Sequence, residues 1–160
     1  RHNLILYMSE LGRVDEAVEL LEETRPLYRT LGESMNLLRL RWLEGRLATA
    51  RGHLEAAEDS LLEVRDAFVE RSMGYDAALA TLDLATVYLQ QGRTASIRMM
   101  VGEMLPVFES LRVHRDTTAA LMVLGPALDL ARITAQRIRE VSGFIEKSRH
   151  HPSLRFRATL

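Results

Sequence analysis

Three residues near the C-terminus are of types that bind metal ions. Glu146 and His150 are four positions apart, so on a helix both side chains lie on one face, as metal ligands often do. Zinc sites in proteins use three or four protein ligands, and a third ligand here would have to be His151 or come from elsewhere in the chain. Because two ligands do not make a site, this spacing does not predict a metal centre.

Four glutamates form a second cluster that could do chemistry, since neighbouring carboxylates can act as a general acid and base. They are Glu16, Glu19, Glu22 and Glu23. Arg25 and Arg29 follow them at distances that bring opposite charges together on a helix surface. The pattern therefore favours a solvated helix face over a catalytic carboxylate pair.

The motifs of the common enzyme classes are absent from the sequence. The chain has no cysteine, which removes disulfides, thiolate metal sites and cysteine nucleophiles together. It also has no phosphate-binding loop, no dinucleotide-binding glycine motif, no HExxH and no GxSxG. We therefore predict that the protein is not an enzyme and that it uses no cofactor and no metal.

The composition is that of a folded chain without a strong overall charge. Of its 160 residues 47% are hydrophobic and 27% are charged, and 21 basic against 22 acidic side chains leave a net charge of -1. This balance predicts no nucleic-acid binding by this segment and no attraction to anionic membranes. The longest stretch without a charge, 117–128, is too short to span a bilayer. We therefore expect a cytoplasmic protein.

A unit of 40 residues is repeated along the chain. Gly12, Gly52 and Gly92 are spaced at this interval. Other matches at the same offset are Ala17 with Ala57, Glu23 with Glu63 and Glu103, Tyr28 with Phe68 and Phe108, and the small residues Gly45, Ala85 and Gly125. A period of this length indicates the duplication of one structural unit. The small residues mark positions where we expect helices to approach closely.

Within each period the hydrophobic residues recur at helical spacing, and the glycines lie where a helix would end. No alternating pattern is long enough for a strand, so the chain is predicted to be all-α. The predicted helices lie near 1–11, 14–31, 34–51, 54–71, 74–91, 94–111, 114–131 and 134–149. The second junction of each repeat falls at 31–34, 72–75 and 113–116.

These eight helices would form four antiparallel hairpins. The domain then covers 1–149, with repeats near 1–31, 34–71, 74–111 and 114–149, and a tail follows over 150–160. The first helix is short and the chain opens on Arg1, so we expect a fragment of a larger protein that continues N-terminally. The last helix is more polar than its counterparts, which is typical of a terminal repeat that faces water.

Residues of the third repeat carry a recognisable motif. Leu84-Ala85, Tyr88 and Gly92 are a leucine–small pair, an aromatic residue and a turn glycine, while Ile97 stands where alanine is usual. This pattern resembles the tetratricopeptide repeat, with a period of 40 in place of the usual ~34, and it looks like an elongated variant of the kind found in bacterial regulatory proteins. The resemblance implies a right-handed α-solenoid with a concave groove, lined by the first helix of each pair, that binds peptides or partner proteins.

The family's groove positions then imply a partner-binding surface in this chain. It comprises Arg39, Trp42, Arg46, Leu82, Thr86, Leu89 and Met122. Arginine and tryptophan often carry binding energy at interfaces, and arginine pairs with carboxylates through two hydrogen bonds. We therefore expect the first three residues to bind an acidic or C-terminal peptide. The alternative is that Trp42 belongs to the core and that the arginines pair with neighbouring repeats.

Three functions remain open on this evidence. The first is a non-catalytic protein–protein interaction module or scaffold within a bacterial regulatory or signalling protein. The second is a regulatory domain of a transcription regulator that senses a ligand or peptide, which would need a closed, mostly apolar cavity. The third is a self-association module, which would form a homodimer through a large, well-packed interface.

Overall fold

The computed structural model describes residues 2–31, 34–113, 117–118, 121, 135–151 and 154–155. Within these residues the chain forms seven helices and no strand. The helices are α1 (His2–Glu10), α2 (Val14–Leu31), α3 (Ser34–Ala50), α4 (Leu54–Glu70), α5 (Gly74–Gln90), α6 (Thr94–Ser110) and α7 (Ala135–His150). Each helix begins and ends within one residue of its predicted position, so the all-α prediction is confirmed. Most of the predicted helix over 114–131 lies outside the described residues.

The three glycines that define the period end α1, α3 and α5 in one common geometry. Gly12, Gly52 and Gly92 have φ angles of 76°, 76° and 71°, in the left-handed region. At Gly52 the backbone N–H donates to the carbonyl oxygen of Thr49 at 3.1 Å, and the next N–H, of His53, donates to that of Ala48 at 2.9 Å. This pair of hydrogen bonds is the Schellman motif, and it satisfies carbonyl groups that the helix end leaves unpaired. The same pair closes α1 and α5.

The second junctions use the same geometry without glycine. Ser72 and Arg112, which are also 40 residues apart, have φ angles of 57° and 54°. Their N–H groups donate to the carbonyl oxygens of Val69 and Glu109 at 2.9 and 3.1 Å. Gly74 is therefore not the turn residue of its junction: it begins α5, where a Cβ would lie 2.5 Å from Val113 Cγ2. At this position glycine permits close packing.

The chain divides into two compact units, here called the N-terminal unit (Arg1–Val64) and the C-terminal unit (Arg65–Leu160). The core of the N-terminal unit joins its first three helices through Ile5, Ala17, Leu21, Leu40, Leu43 and Leu47. Two ion pairs show that α2 lies antiparallel to α3. Asp15 near the start of α2 pairs with Arg51 just after the end of α3, and Arg25 further along α2 pairs with Glu44, which comes earlier in α3. Gly45 contacts α4 closely, since a Cβ there would lie 2.8 Å from Leu61 Cγ. The expected close approach at this position is thus present.

The C-terminal unit is built around α5, which packs against both α6 and α7. Helix α5 is buried along most of its length. Helix α7 contributes inward-facing residues at helical spacing, namely Ile138, Val141, Ile145 and Ser148. An ion pair between Asp76 and Arg149 joins the start of α5 to the end of α7. A simple stack of successive hairpins does not require this direct contact of α7 with α5.

Candidate partner-binding surface

Helix α3 presents the first three predicted site residues on one side. Arg39, Trp42 and Arg46 follow each other at intervals of three and four residues, so their side chains lie along one stripe of the helix. We call this stripe the α3 surface. The side chain of Arg39 is exposed, and those of Trp42 and Arg46 are half-buried. Trp42 is therefore partly accessible and is not a fully buried core residue.

The guanidinium of Arg46 lies over the indole of Trp42, with Cζ 5.8 Å from the ring centroid. At this distance the positive charge is attracted by the electron-rich face of the ring. The contact restrains two long side chains in one arrangement before any partner arrives. A restrained arginine loses less conformational entropy on binding than a free one does.

Two other arginines, Arg41 of α3 and Arg51 in the turn that follows it, pair with acidic residues within the N-terminal unit. Arg41 Nε lies 2.8 Å from a carboxylate oxygen of Glu63 on α4, and Arg51 lies 2.9 Å from Asp15 on α2. Only the pair of Arg51 with Asp15 joins two predicted repeats, and neither Arg41 nor Arg51 is one of the predicted site residues. Among the described residues Arg39 has no such ion pair.

Glu44 is the centre of this charged network. Its carboxylate accepts hydrogen bonds from Arg25 on α2 at 2.5 Å and from Arg41 at 3.5 Å. The hydrogen bond with Glu22 and the charges of Glu44 and Glu22 raise the pKa of Arg25, against the effect of its partial burial. For Arg41 burial is the largest influence and lowers the pKa, but Glu63 and Glu44 together outweigh it and raise the pKa above its ordinary value. Both arginines are therefore held as cations.

Tyr28 of α2 lies close enough to Arg39 to respond to its charge. Burial raises the pKa of the Tyr28 hydroxyl, and the positive charge of Arg39 lowers it in part. The effect of Arg39 arises because a cation stabilises the charged phenolate. Arg39 therefore adds an exposed positive charge beside an aromatic residue of α2, which the helical spacing within α3 did not show.

The remaining predicted site residues belong to the C-terminal unit, and the structure places them differently. Leu82 is fully buried, so its side chain is part of the core. Thr86 and Leu89 are half-buried, and the Thr86 hydroxyl donates to the carbonyl oxygen of Leu82 at 3.2 Å within the same helix. Met122 lies outside the described residues.

The described residues contain no group of three or more histidine, aspartate or glutamate side chains that could hold a metal ion. Glu146 and His150 are both exposed on α7. In the same described part of the chain, none of the helices has the length and apolar character needed to cross a membrane.

Sequence reasoning missed the charged network around Glu44. The signal was present, because Glu44 stands where the motif has leucine and where the third repeat has Leu84. A glutamate at a position where other repeats bury a leucine requires a cationic partner, because burying an unpaired charge is costly. The period alone could not name that partner, since Arg25 comes from a different helix, α2.

No protein-family profile matches the chain, and no solved structure matches it. Among curated proteins, the chain is similar to the ribosome biogenesis protein ytm1 of Emericella nidulans, with 30% identity over 95 residues. The match covers 59% of this chain and 19% of that protein. The chain thus spans less than a fifth of the relative's length, and the match does not assign it to a family.

Proposed function

We propose that this chain is a non-catalytic protein-interaction module that binds an acidic peptide on the α3 surface. In this proposal the repeats are of the tetratricopeptide type, stack as a right-handed solenoid and belong to a larger bacterial regulatory or signalling protein. The repeated Schellman junctions support a duplicated helical unit. The relative's role in ribosome biogenesis is not carried over, since the match covers 19% of that protein.

The observation that carries the proposal is the arrangement of two arginines around a tryptophan on the α3 surface. Arg46 uses the face of its guanidinium to stack on Trp42. A carboxylate binds the N–H edge of a guanidinium, so stacking and carboxylate binding are compatible. The exposed Arg39 adds a second positive charge on the same stripe. Peptide carboxylates and the apolar stems of their side chains fit this combination of charge and aromatic surface.

Trp42 offers a direct test, because it is the only tryptophan in the chain. Its fluorescence should change saturably when an acidic peptide with a free C-terminus is added. An amidated version of the same peptide separates recognition of the terminal carboxylate from recognition of acidic side chains. A basic peptide of equal length should leave the fluorescence unchanged.

Variants then assign the binding to the α3 surface, with a labelled peptide and fluorescence polarisation as the measurement. Polarisation is needed because removal of Arg46 itself alters the surroundings of Trp42. Arg39→Ala combined with Arg46→Ala should weaken binding by about tenfold or more. The matched control, Arg139→Ala with Lys147→Ala, removes two exposed charges from α7 and should leave the affinity unchanged. Equal affinity of the first double variant in a folded chain would refute the proposal.

A further inference from the structure

Helix α6 carries an uncharged stripe on its exposed side. Ala95, Met99, Gly102 and Pro106 follow each other at intervals of four, three and four residues, so they lie along one face of the helix. All four are exposed, Met99 by 66%. We call these residues the α6 stripe. Their spacing is that of the a and d positions of a coiled coil, through which two helices pack side by side.

The 40-residue period allows this face to be compared with the same face of α2 and α4. In α2 the matched positions are exposed and three of them are acidic, namely Asp15, Glu19, Glu22 and Pro26. In α4 three are exposed and acidic and the fourth is a half-buried leucine, namely Glu55, Asp59, Asp66 and Leu62. Helices precede and follow both α2 and α4, and the face stays exposed in them. It is therefore an outer face of the repeat, and α6 differs from α2 and α4 in its chemistry.

Gly102 lies in the middle of the α6 stripe, and packing within the described chain does not require a glycine there. A Cβ added at Gly102 would meet nothing within 4 Å, whereas a Cβ at Gly45 or Gly74 would clash with a neighbouring side chain. In the interior of a helix glycine is less favourable than alanine. A second helix that packs closely against α6 at this point would account for the glycine.

The charges beside the α6 stripe are complementary to those of a second copy. Arg98 and Glu103 lie on opposite sides of the stripe, and both are exposed. They are five residues apart, the spacing at which the g position of one helix faces the e position of a parallel partner. In α4 the same two positions hold Glu58 and Glu63, which would repel each other across such a pair. The complementary charges thus occur on the helix that also has the uncharged stripe.

We propose that the α6 stripe binds the α6 stripe of a second copy of this chain, with the two helices parallel and related by a two-fold axis. Met99 packs against Met99 of the second copy, and the two Gly102 residues let the helices approach closely. Arg98 of each chain pairs with Glu103 of the other, so the symmetry forms both ion pairs at once. This dimer uses no residue of the α3 surface, so it is independent of the proposed acidic peptide.

The first test is sedimentation of the full chain over a series of concentrations. The α6 stripe is short, so the dimer is expected to be weak, and the series extends to about 1 mM. Met99→Glu buries a charge in the middle of the pair and should weaken dimerisation at least tenfold. Acidic residues occupy this position in α2 and α4, so the variant should fold. Leu27→Glu makes the same change at an exposed leucine of α2 and should have no effect.

The second test exchanges the flanking charges. Arg98→Glu and Glu103→Arg each place like charges opposite one another in a parallel pair, so either variant alone should dimerise more weakly than the unchanged chain. An equal mixture of the two variants brings opposite charges together at both points. A fluorescent label on one variant should therefore report a mixed dimer that neither variant forms with itself.

The third test separates the dimer from the stability of the single chain. Gly102→Ala should raise the midpoint of chemical denaturation of the monomer, because alanine favours the helix and the new Cβ meets no neighbour. The same variant should weaken dimerisation, because the Cβ keeps the two helices apart. A glycine without a role in contact between copies would show the first effect only.

Three results would overturn the inference. The chain could sediment as a monomer at every concentration, or Met99→Glu could leave a dimer intact, which would place the interface elsewhere. The mixture of charge variants could also fail to form the mixed dimer. Arg39→Ala with Arg46→Ala should leave dimerisation unchanged, so failure of the acidic-peptide site and failure of the α6 dimer are distinguishable.

Discussion

Helices α3 and α5 occupy equivalent positions in the repeat but have different surroundings. Both begin at the same point of the period, both have 17 residues, and both end at a left-handed glycine. Glu44 in α3, however, corresponds to Leu84 in α5, and Trp42 corresponds to Leu82. Helix α3 joins a charged network, whereas α5 is buried between α6 and α7. The comparison shows that local signals set where a helix begins and ends, while the neighbouring helices set what its sides contact.

The two helices should also differ in how they are stabilised. Leu79, Leu82 and Leu84 of α5 are buried, and each large buried aliphatic side chain contributes about 1.5–3 kcal/mol by burial alone. The ion pairs of α3 are partly exposed, with side-chain exposures of 21% for Glu44 and 40% for Arg41. Pairs in such positions contribute about 1 kcal/mol or less each. Equivalent substitutions should therefore cost more in α5 than in α3.

The largest difference should appear at the matched positions 84 and 44. Leu84→Ala removes a fully buried side chain and leaves a cavity, so we expect a loss of about 2–5 kcal/mol in the free energy of unfolding. Glu44→Ala removes the carboxylate shared by Arg25 and Arg41, with an expected loss of about 1 kcal/mol. Chemical denaturation measures both values. Equal losses would contradict the difference drawn between the two helices.

The second prediction concerns the small residues that face the following helix. Gly45→Ala introduces a Cβ at 2.8 Å from Leu61 Cγ and 3.2 Å from Ser60 Cβ, so the side chain of Leu61 or α4 itself must shift. We expect a loss of about 1–3 kcal/mol from overpacking.

The matched change is Ala85→Gly, since α5 already has alanine at this position. It should cost about 1 kcal/mol through the lower helix propensity of glycine. An alanine in place of glycine stabilises a helix where no neighbouring group lies close to the new Cβ. A gain in stability for Gly45→Ala would therefore show that α3 does not contact α4 closely at this position.

The third prediction concerns the helix ends that lead out of α3 and into α5. Ser72 has a positive φ angle of 57°, a conformation that is strained for residues with a Cβ. Ser72→Gly should therefore raise stability by about 0.5–1 kcal/mol. The gain is smaller than the strain that is relieved, because glycine also makes the unfolded chain more flexible. Gly52→Ala, in the same geometry after α3, should lower stability by about 1 kcal/mol. Thermal unfolding of the two variants should give melting temperatures displaced in opposite directions.

The smallest effect is electrostatic and is confined to the charged side of α3. The positive charge of Arg39 partly offsets the burial that raises the pKa of Tyr28. Arg39→Ala removes this charge, so the phenolate loses a stabilising neighbour and the pKa of Tyr28 should rise further. NMR titration of the tyrosine ring carbons at high pH measures the change.

Arg29→Ala is the control for this measurement. Arg29 follows Tyr28 in the chain, but its charge is not among those that shift the pKa of Tyr28. An equal shift in both variants would show that Arg39 does not lie beside the Tyr28 hydroxyl.

Much of the fold could be predicted from the sequence because helix boundaries depend on local chemistry. Hydrophobic spacing and the glycines at 12, 52 and 92 located six helices of the first 113 residues. The junctions closed by Ser72 and Arg112 were also placed correctly. Helix α5 begins at Gly74 as predicted, but the close packing of Gly74 against Val113 follows only from the structure.

The candidate site was less accessible to sequence reasoning. The resemblance grouped Arg39 with Leu82 as members of one surface, yet one is exposed and the other fully buried. The repeat assigns equal roles to equal positions, whereas burial depends on which helices pack nearby.

By itself, the sequence determined the helical character of this protein, its 40-residue period and the positions at which its helices end. Those properties arise from residues close together in the chain, through hydrophobic spacing and the left-handed conformation of a few residues. The tertiary structure alone decided that Glu44 joins arginines of two helices, that α7 packs on α5 and that Leu82 is fully buried. These outcomes depend on side chains brought together from distant positions, and their energies depend on burial, which no local pattern records.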